Sequence, residues 1–447
     1  MTKRLSAAAA LLAAAWLLAG CERPFIEVSE PEIEIVEPDL SEVITVTQIQ
    51  LEVRATSFRA VDRVLLQGEP MEFDRESGLW RRIVDLSTGV NELVITAFDV
   101  QDVAAHDTAV VVVLAPSVSA NAPRLPIGVG DHASILTPGG ALLVTGGAVR
   151  PNGEALDGAF ISSPAGVPFE ELPSRMRRAR LGHTMTNLPD GRVLIAGGSA
   201  RGIVNEVLTL VEPGEIYDPS TGEFLFVTTA GDPIRRTHHT ASGESGESGF
   251  VLDLFGGRGD TQYHPPLIGV RQDIRSFIFR NDSLISFTAA PGPFLGQPVA
   301  GHTQTKLVMT EEFEPTEFLI HGTHFGDGFM ESVSFTVDFR DPLGLIVRET
   351  GRTQEPRTHH ATVTLADGLV ITLGGSRESR DAPLSSVELY VDRRREFLSV
   401  PFGQTRPLPR SGHTATKLPD GRIMIAGGFV TGGNSTTVSE YLLLSTN

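Results

Sequence analysis

Cysteine is almost missing from this chain. The 447 residues include one, Cys21. No disulfide can form within the chain, and no thiolate metal site or thiol nucleophile is available beyond residue 21. Tyrosine and tryptophan are also scarce, at four and two, and Trp80 is the last tryptophan. Recognition built on rows of exposed rings has little to draw on. Positive charge is in deficit, with 37 Lys and Arg against 55 Asp and Glu, for a net charge of −18. That balance disfavours nucleic acid and anionic membrane surfaces as partners. Long apolar runs are absent except at the start. There, Lys3 and Arg4 precede an Ala/Leu-rich stretch over residues 5–17, too short for a comfortable membrane span.

The stretch ends in Leu18-Ala19-Gly20-Cys21. These residues resemble the lipobox of bacterial lipoproteins. The resemblance implies a signal peptide over 1–20, cleavage before Cys21, and a membrane partner reached through lipid on that cysteine. More than one acyl chain anchors stably without a spanning helix. Glu22 follows the cysteine, which by the lipoprotein sorting rule points to the outer membrane. Residues 21–31 are acidic, contain Pro24 and Pro31, and read as a tether.

What the sequence has in quantity is repetition. RSGHTATKLPDGRIMIAGG at 410–428 has a near twin, RLGHTMTNLPDGRVLIAGG at 180–198, with fourteen of nineteen positions identical. Looser copies lie at 357–375 and 131–147. In these four a His is followed by Gly after eight residues, and a Gly-Gly pair begins six later. Two weaker copies lie at 236–257 and 301–322. The repeat histidines are His132, His183, His239, His302, His360 and His413, spaced by 51, 56, 63, 58 and 53 residues. The glycine pairs are Gly146-Gly147, Gly197-Gly198, Gly256-Gly257, Gly374-Gly375 and Gly427-Gly428; the fourth copy has a single Gly322. Each copy reads as a hairpin. Asp-Gly or Gly-Gly supplies the two-residue turn, and an unbroken apolar run such as Val-Leu-Ile-Ala marks a second strand covered on both faces. Two further strand-like runs follow each unit, one centred on Tyr in several copies (Tyr217, Tyr390, Tyr441).

The period, the Arg-x-x-His start, the Gly-Gly end and Tyr217-Asp218-Pro219 resemble the kelch family of β-propellers. The resemblance implies an all-β fold with a six-bladed propeller over 116–447. Phe224 and Phe397 stand where kelch repeats carry Trp. The sixth repeat has only three strands of its own, and an unpaired outer edge is a liability. Counting back from His132 places the missing strand at 117–122, paired with 438–445.

Residues 32–115 read as a small β-sandwich. Strand-like runs lie at 43–55, 61–68, 78–86, 90–100 and 108–115, with a further candidate at 33–38. LSTGVNELVITAFDVQD at 86–102 resembles bacterial immunoglobulin-like modules, and Trp80 reads as a core residue.

No catalytic set emerges, and no metal or cofactor is expected. The repeat histidines read as structural groups bonded to backbone. His238-His239 and His359-His360 read as neighbours on strands, pointing to opposite faces and unable to chelate as pairs. His321, His324 and Asp327 read as a polar loop with the donor types of a metal site. Galactose oxidase also sets kelch-type repeats after a β-sandwich, but its radical site needs a Tyr cross-linked to a Cys, and none remains here. Sialidase-type propellers carry repeated Ser-x-Asp-x-Gly-x-Thr-Trp turns, which this chain lacks. The reading is a lipid-anchored envelope protein whose propeller binds a protein or polysaccharide partner, the alternative being a hydrolase or oxidase with a site in the central funnel.

Overall fold

The computed structural model describes residues 30–444 apart from 203–208, 247–248, 260–269, 271–272, 288–298, 308–316, 327–328, 339–345, 367 and 378–381. Cys21 and Asp327 lie outside the described residues, as does the whole segment 1–20. Among the described residues every regular element is a strand. The chain divides into two compact units that interleave in sequence, where a single boundary near residue 115 is expected.

The first unit takes in residues 30–38, 49–84 and 92–109. Its strands fall into two four-stranded sheets. One has the order Glu32–Glu37, Gln48–Thr56, Leu79–Asp85, Glu72–Asp74; the other runs Glu69–Pro70, Val61–Leu66, Gly89–Asp99, Ala104–Val113. Alternation dictates the burial. Ile49, Leu51 and Val53 are buried while Gln48 and Gln50 face water, and Leu93, Ile95 and Ala97 repeat the pattern. Trp80 is buried against Phe73, with ring centroids 4.9 Å apart.

The strand expected over 43–55 begins only at Gln48. Val43 and Ile44 belong to the second unit, where the Val43 amide donates to the Ser399 carbonyl and the Ile44 amide to that of Val112. Val43 is buried there with Val112, Leu398 and Val400. The alternating pattern runs through both stretches without a break, so periodicity carries no mark of where the chain leaves one core and joins another.

In the second unit, the strand after each repeat His opens an antiparallel series. These first strands are Ala133–Leu136, Thr184–Asn187, Thr240–Gly246, Thr303–Lys306, Ala361–Thr364 and Thr414–Lys417. Each packs beside the next, and the last returns to the first, so they form a closed cycle. Hydroxyls bridge them, Ser134 to Thr416 at 3.0 Å and Thr305 to Thr362 at 2.8 Å. The turns are as the sequence requires, with Gly191 and Gly421 at φ +88° and +86°. The second strands, Val193–Ala196 and Ile423–Ala426 among them, are buried at every residue.

The series that start at Thr184 and Thr240 merge into one eight-stranded sheet. The outer strand Glu223–Ala230 is long enough to pair in parallel with Ser283–Phe287. The last series is completed from the other end of the unit. Ser117–Ser119 pairs antiparallel with Ser439–Leu443, Leu442 opposite Val118. The closing strand expected at 117–122 is therefore present, shortened to three residues.

Candidate functional site

The residues of the repeat signature serve one another. Arg180, Arg236, Arg357 and Arg410 stand three residues before a repeat His and are almost wholly buried. Each guanidinium donates to the carbonyl of the first glycine of its pair, over 2.8 to 3.0 Å. Each also meets a carboxylate, Glu215, Asp273, Glu388 or Glu440. Buried charges persist only when paired in this way.

The glycine pairs leave room for the histidines. A Cβ on Gly197 would lie 2.5 Å from the His239 ring and one on Gly427 2.7 Å from that of His132; a Cβ on Gly198 would lie 3.0 Å from the Cβ of its own His183. The histidine Nε2 then bonds a Thr hydroxyl of the preceding repeat. The pairs are His132–Thr414, His183–Thr145, His239–Thr184, His302–Thr240 and His360–Thr303, at 2.8 to 3.2 Å. These histidines are buried and bridge neighbouring repeats. Backbone partners are expected from the sequence; the structure adds hydroxyls of the neighbouring repeat, on its first strand for four of the five histidines and, for His183, on the second strand at Thr145. In His413 no such bond forms: Ala361 and its cross-strand partner Leu373 carry no hydroxyl, whereas Ala133 pairs with Thr145, which serves His183.

His321 stands, by strand register, where other repeats have Thr145, Ala196 or Ala426, and lies on the strand Glu317–Gly326, where a loop is expected. Its Nε2 pairs with the Thr372 hydroxyl at 2.9 Å, and its ring lies 4.6 Å from that of His360. His324 is on the same strand. Its side chain and Asp327 lie outside the described residues.

The residue just before each repeat His builds a second, tighter feature. These positions hold Asp131, Gly182, His238, Gly301, His359 and Gly412. All six have left-handed backbone, with φ between +52° and +62°. Each amide donates to the carbonyl of the preceding member, and the Asp131 amide donates to Gly412. The result is a closed circle of six hydrogen bonds of 2.7 to 3.0 Å. Left-handed backbone costs a side-chain-bearing residue roughly 1 kcal/mol or more, and Gly far less. Here Gly fills every second place, and Asp or His fills the others.

The glycines face those side chains. A Cβ on Gly182 would lie 2.9 Å from His238 Nε2, one on Gly301 2.9 Å from His359 Nε2, and one on Gly412 2.5 Å from Asp131 Oδ1. The three side chains therefore lean the same way around the circle and converge. One ligand-type atom from each lies within 4.8 Å of the others, and His238 Nε2 is 3.4 Å from Asp131 Oδ2. The His rings are held from behind. His238 Nδ1 is 3.2 Å from the Thr237 hydroxyl, and His359 Nδ1 is 3.1 Å from that of Thr358.

Burial, and then the charge of Arg258, holds His238 down to about 3. Burial, followed by His238 and Arg258, holds His359 well below the ordinary imidazole value. Both are neutral at physiological pH. The adjacent His pairs were expected on strands, but His238 and His359 sit in the left-handed turns that precede the strands. Neither pair chelates as a unit; the first members of two pairs meet instead. The repeat alignment already placed Asp131, His238 and His359 in one column with three glycines, and that column was the signal to follow.

No family model and no curated protein matches the chain. Solved structures do. YjhT, a kelch-type β-propeller, superposes with a TM-score of 0.53 at 11% identity, over 73% of this chain and 99% of its own. The fold is a kelch-like β-propeller. A fungal alcohol oxidase of the AA5 family, in complex with copper, aligns over 93% of this chain and 76% of its own, at 14% identity and a TM-score of 0.48. Within the propeller, the circle headed by Asp131 lines one opening together with the six repeat histidines.

Proposed function

We propose that this is a lipid-anchored protein of the bacterial cell envelope, held at the outer membrane through Cys21. In this reading an immunoglobulin-like sandwich precedes a six-bladed kelch-like propeller, and the propeller binds a protein or polysaccharide partner. The observation that carries the binding reading is where the signature residues go. The buried arginines, the glycine pairs and five of the six repeat histidines are engaged within and between repeats. They build a frame, and the connections on that frame vary, as the repeat spacings of 51 to 63 residues show. A rigid frame with variable loops is the usual arrangement for recognition. The membrane reading rests on the lipobox resemblance of residues 18–21.

Cys21→Ser tests the anchor. The variant is expected in the soluble fraction or as unprocessed precursor. Normal maturation with unchanged membrane partitioning would sink the lipoprotein reading. Affinity capture from detergent-solubilised membranes tests the partner. No protein or glycan enriched over an unrelated lipoprotein would count against a binding role.

The second reading, a hydrolase or oxidase with a site in the funnel, has one observation in its favour. That observation is the convergence of Asp131, His238 and His359 at the opening of the circle.

A further inference from the structure

We propose that Asp131, His238 and His359 form a binding site for one divalent first-row transition-metal ion, of the iron-to-zinc class, at the centre of the backbone circle. The inference does not depend on the lipid anchor or on the identity of any partner.

Four observations carry it. The first is composition. Two imidazoles and one carboxylate are a donor set that suits zinc and ferrous iron and leaves coordination positions open. The second is spacing. Donor bonds of about 2.0–2.2 Å place neighbouring donor atoms roughly 3–3.5 Å apart. The His238–Asp131 separation of 3.4 Å already matches, and all three donors lie within 4.8 Å. The third is the support behind the rings. The Thr237 hydroxyl is within reach of the Leu181 carbonyl at 3.2 Å, and that of Thr358 reaches the Ala300 carbonyl at 3.3 Å. With the single hydroxyl proton given to the carbonyl, each threonine accepts from its histidine, so Nδ1 carries the proton. In His238 that tautomer turns the Nε2 lone pair toward the Asp131 carboxylate, an arrangement a cation between them stabilises. Partners of this kind fix the tautomer of metal-bound histidines.

The fourth observation is the alternation. Three places in the circle are glycine and satisfy the left-handed backbone without strain. The other three carry side chains at the same φ. Strain retained at three places, all occupied by ligand-type residues that converge, marks a site whose side chains are needed for something other than the fold. Arg258 contributes positive charge nearby, which tempers affinity.

The circle also supplies the test. His238→Gly, His359→Gly and Asp131→Gly each restore the residue already found at the alternate places, so the backbone is kept. The full chain, purified in detergent and stripped with a chelator, is titrated with Co²⁺ and with Zn²⁺. Binding is followed by visible absorption of Co²⁺, by calorimetry, and by metal content after gel filtration. One ion per chain is expected, with a rise in melting temperature on loading. Each glycine variant is expected to bind on the order of a hundredfold more weakly, and its metal-free melting temperature to equal or exceed the parent's. Thr237→Val and Thr358→Val are expected to weaken binding by about tenfold. Failure of the parent chain to bind either ion would overturn the proposal, as would stoichiometric binding that survives His238→Gly. A metal-free melting temperature that falls in the glycine variants, with no ion bound by the parent, identifies the cluster as a hydrogen-bonded His–Asp–His group and overturns it equally.

Discussion

The repeats starting at His183 and His413 differ from those starting at His132 and His302 in one buried position. Arg180 and Arg410 stand three residues before the histidine in the former; Val129 and Val299 take that place in the latter. The partner changes too. Where Glu215 and Glu440 sit on the third strand opposite Ile195 and Ile425, the corresponding residues are Phe160, opposite Val144, and Phe335, opposite Ile320. Val129 joins an apolar cluster with Phe160, and Val299 one with Phe335 and Val337. The same hairpin is thus built with a buried ion pair or with an apolar contact, and the two never mix within a repeat. An unpaired buried charge is costly, whereas removing both partners together is tolerated.

The largest break of that comparison is Arg180→Met. It leaves Glu215 buried without its guanidinium and deprives the Gly197 and Pro213 carbonyls of a donor. A loss of about 3–5 kcal/mol is expected in denaturant unfolding. Arg180→Met with Glu215→Leu should cost less than the sum of the two single changes. It should not recover fully, because the Arg177 and Arg178 amides also donate to Glu215.

The second test uses pH. His302 is held down to about 3 by burial and then by Arg236, and His183 and His413 lie well below the ordinary value, again by burial first. Their folded pKa values are below the unfolded value near 6.5. The stability that goes with neutral imidazoles is therefore complete above pH 6.5. It is lost as pH falls from there toward about 3, while the unfolded chain takes up protons that the folded chain refuses. Each such histidine contributes a slope of up to about 1.4 kcal/mol per pH unit in that window. Melting temperatures measured from pH 7 to pH 4 should fall steeply, and a flat profile would contradict the buried neutral histidines.

The smallest effect sharpens the comparison between His360, which has a threonine, and His413, which does not. Thr303→Val removes the hydroxyl 2.9 Å from His360 Nε2. A loss of about 1 kcal/mol is expected. Ala361→Thr offers His413 the missing hydroxyl and is expected to be neutral or stabilising by thermal melts.

Much of this architecture was readable in the chain. The Asp-Gly turns, the four-residue apolar second strands and the glycine pairs each impose local geometry that neighbouring residues cannot override. The incomplete sixth repeat even located its own closing strand at Ser117–Ser119, because an exposed sheet edge demands a partner. Other features were out of reach. The alternation from Val43 to Ala55 is equally compatible with one strand or with two segments in different cores. His238 and His359 read as strand residues because nothing local announces a left-handed turn at a histidine.

The sequence by itself determined the repeat, its turns and the need to close the circle, since those rest on backbone preference and on periodic burial within a few residues. Only the tertiary structure decided what the circle encloses. Asp131, His238 and His359 come from three different repeats; the repeat alignment sets them in one column, but nothing along the chain brings that column to one centre. They meet because six left-handed residues hydrogen-bond around one centre, and because the glycines between them leave the space that the three side chains fill.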